Sequence, residues 1–189
     1  MMSERGYNAV GMDDIGKAAG ISGPALYRHF RSKQQLLGEL LMEPFELLNG
    51  GAKRIVAQDL PARTALEQLV DWHIEATSKD VDVIRVYYLY VDETLDEDRA
   101  PLDAAFSEYL GRWIALLRQL RPDLAEATLH SAVMALFRLF NLPHDDRERA
   151  ARRQDDLIAL MAKAAIDGVL ALPATADSGQ APNQRTLTS

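Results

Sequence analysis

The chain has 189 residues and no cysteine. Without thiols it has no disulfide framework, no thiolate metal site and no cysteine nucleophile, and this absence fits a reducing compartment. No stretch approaches the roughly 20 consecutive apolar residues that a membrane span requires. The first residues, MMSERGY, lack the apolar segment of a signal peptide. We therefore expect a cytoplasmic protein with no membrane partner.

Patterns that carry catalysis or bind metals are missing as well. The four histidines, at positions 29, 73, 130 and 144, show no ligand spacing such as HExxH. The GISG segment at 20–23 is not the G-x-S-x-G turn that exposes a nucleophilic serine. The acidic residues within 92–98 are more typical of a connector and helix start than of a cation site. We predict that the protein is not an enzyme and uses neither a metal nor a cofactor.

Strand-like alternation is scarce, and most of the chain has apolar residues at helical spacings of three and four. The β-branched and aromatic segment VDVIRVYYLYV at 81–91 has strand propensity, but it fits helical spacing too and has no partner strand, so we predict a buried helix. The predicted helices cover 12–19, 23–30, 33–57, 61–78, 81–95, 101–120, 122–140 and 147–172, with Pro101 and Pro122 opening two of them. Residues 173–189 contain few large apolar side chains, and we expect a disordered tail.

The segment MDDIGKAAGISGPALYRHF at 12–30 has the features of two short helices that cross through a tight turn. Gly20 suits the turn because glycine tolerates left-handed backbone, and Gly16 is the small residue where the helices touch. Ile15 and Ile21 are expected to point inward, and Ser22 to cap the second helix. Leu26 and Phe30 then lie four residues apart on its inward face. The segment therefore predicts a helix-turn-helix.

Around this motif, GYNAVGMDDIGKAAGISGPALYRHFRSKQQLL strongly resembles the signature of the tetracycline-repressor (TetR) family. The match is tight over residues 5–37 and is most specific at Tyr-x-His-Phe followed by Ser-Lys. The resemblance implies an all-α fold with an N-terminal helix-turn-helix domain at residues 1–37. It also implies a C-terminal helical domain for ligand binding and dimerisation at residues 38–172.

The resemblance further implies that helix 23–30 lies in the major groove of DNA. Small residues at its start would approach base edges, Arg28 would contact guanine, and Tyr27, His29 and Lys33 would hold phosphates. The implied DNA-binding residues are Ser22, Gly23, Pro24, Ala25, Tyr27, Arg28, His29 and Lys33. Taken singly, each could instead pack against helix 33–57 or face solvent.

The charge distribution is compatible with this role although the formal net charge is −7. Residues 1–37 carry five Lys or Arg against three Asp or Glu, a net +2, which leaves −9 for the remainder. A slightly basic head can dock on phosphates, while the acidic body discourages nonspecific binding.

The chain departs from the family pattern at its start. Family members carry a full amphipathic helix before the Gly-Tyr pair, whereas only MMSER precedes Gly6 here. The apolar faces of Ile15, Ala19, Leu26 and Phe30 would then lack a cover. Two explanations stay open: a misassigned start codon or a DNA-binding head that is impaired.

Two sets of body residues complete the function that the resemblance implies. The predicted ligand pocket contains Trp72, His73, Tyr87, Tyr88, Phe106, Trp113 and Phe137. The predicted dimer interface contains Leu129, Val133, Leu136, Leu157, Leu160, Met161, Ala164, Ala165 and Gly168. For each set the alternative is ordinary packing within one chain, because aromatic and apolar residues at helical spacing are usually core.

We therefore predict a DNA-binding transcriptional regulator, in the form of a homodimeric repressor that binds a palindromic operator of double-stranded DNA. A small apolar effector would release it. The alternative is a helical small-molecule-binding dimer with an impaired DNA-binding head, and an enzyme or carrier is a weaker third candidate.

Overall fold

The computed structural model describes residues 2–77, 86–87, 89–140 and 148–174. The helices are α1 (Met2–Arg5), α2 (Met12–Ala18), α3 (Gly23–His29), α4 (Lys33–Val56), α5 (Ala62–Thr77), α6 (Asp96–Leu120), α7 (Glu126–Phe140) and α8 (Glu148–Leu170), with short 3₁₀ turns at Tyr7–Ala9 and Val91–Glu93. These described residues contain no strand. The all-α prediction is confirmed; of the tail at 173–189, residues 175–189 lie outside the described residues.

Two helices, α3 and α4, begin where the sequence predicts, because serines cap them. The Ser22 hydroxyl accepts a hydrogen bond from the Ala25 N–H at 3.3 Å at the start of α3. The Ser32 hydroxyl accepts one from the Gln35 N–H at 3.1 Å at the start of α4. Each cap satisfies a backbone donor that has no partner within the first turn of its helix.

The ambiguous segment at 81–91 is helical where the structure describes it. Residues 86–87 and 89–90 have helical backbone, and residues 81–85 and 88 lie outside the described part of the chain. Val86 and Tyr87 are buried while Leu89 is exposed, as expected for a helix with one apolar face.

Two predicted helix starts are wrong. The helix expected to open at Pro101 begins five residues earlier, at Asp96, and contains Pro101 within it. Three acidic residues, Asp96, Glu97 and Asp98, occupy its first turn, where negative charge interacts favourably with the helix dipole. That turn stabilises the earlier start, at the cost of the one backbone hydrogen bond that Pro101 cannot donate.

The helix expected to open at Pro122 or Asp123 begins instead at Glu126. The Arg121 guanidinium holds both oxygens of the Asp123 carboxylate, at 2.7 and 2.6 Å. It also donates to the carbonyls of Val169 and Leu170, at 3.1 and 2.8 Å, at the end of α8. These bonds hold the residues after α6 in a turn and satisfy carbonyls that the end of a helix leaves free.

The long helix α4 is shared by the head and the body. Its buried residues recur every three or four positions at Leu37, Leu41, Phe45 and Leu48, and this face packs against α5 and α6. The α4 helix runs unbroken through residues 37 and 38, the boundary between the two domains that the sequence predicts. No helix in the described part of the chain is both long and apolar enough to cross a bilayer.

Candidate functional site

The turn between α2 and α3 has the geometry that the sequence predicts. Gly20 adopts a φ of +70°, a left-handed conformation that residues with a Cβ rarely adopt. Gly16 lies where the two helices meet: a Cβ there would stand 3.0 Å from the Ile21 carbonyl oxygen and 3.3 Å from the Gly23 nitrogen. Two short helices therefore cross at close range.

Ile21 does not plug the space behind the turn, and the expectation that it points inward is wrong. Its side chain is 42% exposed. The physical reason is that its backbone occupies the position beside Gly16, where the Ile21 N–H donates to the Gly16 carbonyl at 2.9 Å. With the backbone filling the gap, the side chain is directed to solvent.

The outer face of α3 is open to solvent. Tyr27 is 55% exposed, and Pro24, Arg28 and His29 are exposed as well. Leu26 is buried and anchors the opposite face. Among the other predicted DNA-binding residues, Gly23, Ala25 and Lys33 are half-buried, and Ser22 is exposed while its hydroxyl caps the helix.

Lys33 binds the chain's own backbone, a contact that sequence reasoning missed. Its ammonium donates to the carbonyls of Tyr7 and Val10, at 2.8 and 3.0 Å, and lies 3.9 Å from the centroid of the Tyr7 ring. The Gly-Tyr and Ser-Lys parts of the motif are thus joined in space. Lys33 ties the N-terminal turn to the start of α4.

The residues before α2 pack into the core. The apolar residues among them, Met2, Tyr7 and Val10, are buried in the same cluster as Leu37 of α4. The expectation that the inner face of the head lacks a cover is wrong for Leu26, which is buried. Ile15 and Phe30 are half-buried, and Ala19 is exposed as that expectation has it.

Five of the predicted pocket residues form one connected aromatic cluster in the body. Tyr87 contacts Phe106 at a ring-centroid distance of 5.9 Å, and Phe106 contacts Phe137 at 6.1 Å. Phe137 in turn lies 5.6 Å from both His73 and Trp113. Tyr88 lies outside the described residues.

Three further aromatic residues belong to this cluster, and the predicted pocket set does not contain them. They are Phe45 on α4, Tyr109 on α6 and Phe140 on α7. Tyr109 stands three residues after Phe106 and four before Trp113, so helical spacing is the signal that could have found it.

Trp72, also predicted for the pocket, has a different set of neighbours. Its indole N–H donates to the Leu48 carbonyl at 3.2 Å, and its ring lies against Gly51, where any Cβ would overlap the indole. The Arg54 guanidinium lies 5.5 Å from the same ring. Trp72 therefore fixes α5 against α4.

His73 is the polar centre of the aromatic cluster. It is 4% exposed, and its Nδ1 lies 3.0 Å from the Tyr109 hydroxyl oxygen. Burial lowers the pKa of His73 to about 3 and raises the pKa of Tyr109, because both charged forms would lose their hydration. Both side chains are therefore neutral at pH 7.

Comparison with known proteins decides the family. The model of the bacterial regulatory proteins of the tetR family matches residues 1–40, which include the turn, the exposed helix and Lys33. The N-terminal part of the chain belongs to the TetR family. This is a family of regulatory proteins and not of enzymes.

Known TetR-family proteins extend the likeness beyond the head. The chain is 32% identical over 118 residues to the transcriptional repressor KstR2 of Rhodococcus jostii, a match that covers 62% of this chain and 58% of that protein. The ketosteroid regulator KstR2 of Mycobacterium tuberculosis superposes with a TM-score of 0.71 at 20% identity, over 87% of this chain and 88% of that one. AibR, crystallised with isovaleryl coenzyme A and operator DNA, superposes with a TM-score of 0.67 at 17% identity, over 85% of this chain and 90% of that one. At these identities the two structures show a shared fold.

The α8 helix has two apolar faces. One face packs into the body through Ile158, Ala162 and Ile166. The other face is open, with Leu157 53%, Leu160 67% and Met161 45% exposed. Ala164, Ala165 and Gly168 continue this open face, which we call the α8 stripe.

The predicted interface residues on α7 lie elsewhere. Leu129, Val133 and Leu136 are buried within a single chain and belong to its core. The α8 stripe alone is thus the exposed part of the predicted dimer interface. Among the described residues, no group of three His, Asp or Glu is placed to hold a metal ion.

Proposed function

We propose that this TetR-family chain is a DNA-binding transcriptional regulator that acts as a homodimer and responds to a small apolar effector. The observation that carries the proposal is the position of α3: a left-handed turn at Gly20 holds it across α2 with its polar and aromatic face in solvent. A helix presented in this way fits the major groove of a duplex.

The exposed residues of α3 divide into two roles. Gly23, Pro24 and Ala25 are small and mostly apolar, so the first turn can approach base edges and contact thymine methyl groups. Arg28 reads guanine through its paired N–H donors. Tyr27 and His29 flank it and hold phosphates.

The structure favours a supporting role for Lys33 over the phosphate contact that the resemblance implies. Two of its three N–H donors are directed at the carbonyls of Tyr7 and Val10. We therefore assign Lys33 to the folding of the head, and Tyr27, Arg28 and His29 to direct contact with DNA.

A second copy of the chain is the partner proposed for the α8 stripe. The stripe presents large apolar residues beside small ones, which lets two helices approach closely. A two-fold axis through this surface gives two recognition helices, and a palindrome with half-sites about 34–36 Å apart matches such a pair.

The effector would act on the aromatic body. Two proteins of the same fold support this part: AibR was crystallised with isovaleryl coenzyme A and operator DNA, and KstR2 is named a ketosteroid regulator. An effector releases this chain from DNA if it binds the DNA-incompetent arrangement of the two heads more tightly. An effector with this preference makes the protein a ligand-released repressor.

DNA binding is tested by fluorescence anisotropy with the intergenic DNA upstream of the chain's own gene and with a scrambled duplex. Arg28→Ala should weaken binding to the preferred sequence by about 1–3 kcal/mol and reduce the preference over the scrambled duplex. The matched control is Arg118→Ala, which removes the same charge from the exposed side of α6 and should leave sequence preference unchanged. Equal preference in wild type and Arg28→Ala would refute the reading of bases by Arg28.

If neither duplex binds, the chain fits the alternative function, a small-molecule-binding dimer with an impaired head. The dimer itself is tested by light scattering after size exclusion. Leu160→Glu, in the α8 stripe, should yield monomers because it buries an unpaired charge at a symmetric contact. Leu47→Glu, at an exposed position of α4, is the control and should keep the wild-type mass.

A further inference from the structure

The imidazole of His73 lies among aromatic rings on several sides. It stacks on Phe140 at a centroid distance of 4.3 Å, on Phe137 at 5.6 Å and on Tyr109 at 5.8 Å. Trp113 meets it edge-on at 6.5 Å. A polar ring in such surroundings loses its hydration and depends on hydrogen bonds to compensate.

Hydrogen-bond counting identifies the tautomer of this ring. The Tyr109 hydroxyl bonds to Nδ1 at 3.0 Å. If the hydroxyl donates, the proton of the imidazole resides on Nε2, and one polar group lacks a partner. If Nδ1 donates instead, both the hydroxyl proton and the Nε2 lone pair lack partners. Since each unpaired buried group carries the full cost of its lost hydration, the first arrangement is the more stable.

His73 Nε2 is thus an N–H donor without an acceptor. It is fully buried and has no hydrogen-bond partner among the described residues. The large majority of buried polar side-chain atoms in folded proteins are paired. An unpaired donor inside an apolar cluster points to an acceptor that comes from outside the chain.

The surroundings restrict the chemistry of that acceptor. His73 and Trp113 are neutral donors, and the rings that contact them are uncharged. A carboxylate brought among these rings would lose its hydration, and Arg112, the cation whose charge acts on Tyr109, is already paired with Glu108 at 2.6 Å. A neutral carbonyl oxygen loses much less hydration. The aromatic faces of Phe137 and Phe140 would contact the apolar carbon atoms on either side of the carbonyl.

We propose that His73 Nε2 donates a hydrogen bond to a neutral carbonyl oxygen of the effector, so that hydrophobic ketones and thioesters are its ligand class. This inference rests on the proposed function, in which the aromatic body binds an effector. His73 then selects among hydrophobic molecules of similar size by the presence of an acceptor.

The tautomer is tested first, on the intact wild-type chain with ¹⁵N-labelled histidine. The His73 Nε2 resonance should have the shift of a protonated ring nitrogen, and Nδ1 that of an accepting one. Nonan-5-one should shift the Nε2 resonance, whereas nonane should leave it in place. An Nδ1–H tautomer, or an Nε2 resonance that ignores the ketone, would overturn the proposal.

The second test measures affinity through tryptophan fluorescence, with Trp113 as the reporter beside His73. Nonan-5-one should bind wild type at least tenfold more tightly than nonane. His73→Phe should remove that difference, while His130→Phe, at an exposed histidine of α7, should keep it. A thermal melt checks that each variant folds.

Equal binding of the two probes by wild type, or binding of neither, would overturn the assignment. So would a ketone preference that survives in His73→Phe. DNA binding by α3 is measured separately. A failure of the ketone test would therefore not contradict the proposed regulator, and a failure of DNA binding would not change the result of the ketone test.

Discussion

Replacing Lys33 by methionine separates the supporting role of this residue from a direct role in DNA binding. In the structure the ammonium donates to the carbonyls of Tyr7 and Val10 and lies over the Tyr7 ring. Methionine keeps most of the apolar stem and removes the three charge-dependent interactions. The substitution should therefore loosen the residues before α2 and leave the body unchanged.

The size of the effect follows from two hydrogen bonds and one cation–π interaction, which methionine cannot make. A hydrogen bond to a charged group contributes about 1.5–3 kcal/mol, and a cation–π interaction about 0.5–2 kcal/mol. Because Lys33 is half-buried, we take the lower part of these ranges, about 3.5–5 kcal/mol in total. This corresponds to an increase of roughly 400- to 5,000-fold in the rate of amide exchange by local opening.

Hydrogen exchange of the free protein is the assay, read separately for peptides from 2–30 and from α5 and α6. Lys53→Met is the control, since Lys53 also lies on α4 and pairs with Glu108 at 3.2 Å across an exposed surface. Such surface pairs contribute little, so protection should change little. The supporting role would be refuted if Lys33→Met left hydrogen exchange in the head unchanged and also reduced the salt dependence of DNA binding by about one phosphate contact.

Three further predictions concern packing and protonation. Gly16→Leu should destabilise the head by about 1–3 kcal/mol in urea denaturation because α2 and α3 must separate, whereas Gly111→Ala, at an open helical position, should stabilise the protein by about 0.5–1 kcal/mol; equal effects would contradict the close approach of the two helices. Gly51→Ala should lower the melting temperature and change the fluorescence of Trp72, because the alanine Cβ would overlap the indole. An unchanged melting temperature would contradict the packing of α5 on α4. Burial lowers the pKa of His73 from 6.5 to about 3, so the unfolded chain binds the extra proton below pH 6.5 and stability falls as pH drops from 6.5 towards 3. His73→Phe should remove this loss of stability, about 2 kcal/mol between pH 7 and pH 5. An equal fall with pH in the free energy of unfolding of variant and wild type, measured by urea denaturation, would contradict the prediction.

The head was predictable because its determinants are local. The left-handed turn depends on Gly20, the start of α3 on Ser22, and the close crossing on the lack of a side chain at Gly16. Each property belongs to residues a few positions apart. The direction of Ile21 was not predictable in this way, because it depends on which atoms fill the gap beside Gly16, and the backbone does so.

Long-range interactions explain the other differences. The role of Lys33 depends on carbonyls 23 and 26 residues earlier in the chain. The turn before α7 depends on Arg121, which reaches carbonyls 48 and 49 residues later. Sequence spacing carries no signal for such pairs, so the backbone contacts of Lys33 and the turn at residues 122–125 could not be predicted.

The apolar residues of α7 and α8 cannot be divided between core and interface from the sequence, whereas their burial in the structure divides them. Both helices have apolar residues on more than one face, and the sequence pattern places residues of both in a dimer interface. Burial separates them: Leu129 and Val133 on α7 lie in the core, whereas Leu157 and Leu160 on α8 remain in solvent. Full burial of one such leucine contributes about 1.5–3 kcal/mol, and a two-fold axis doubles each interaction because both copies supply the same residues. A helix with two apolar faces needs two partners, and the body of one chain covers only one of them. A second copy of α8 is the partner whose stripe matches in both length and residue size.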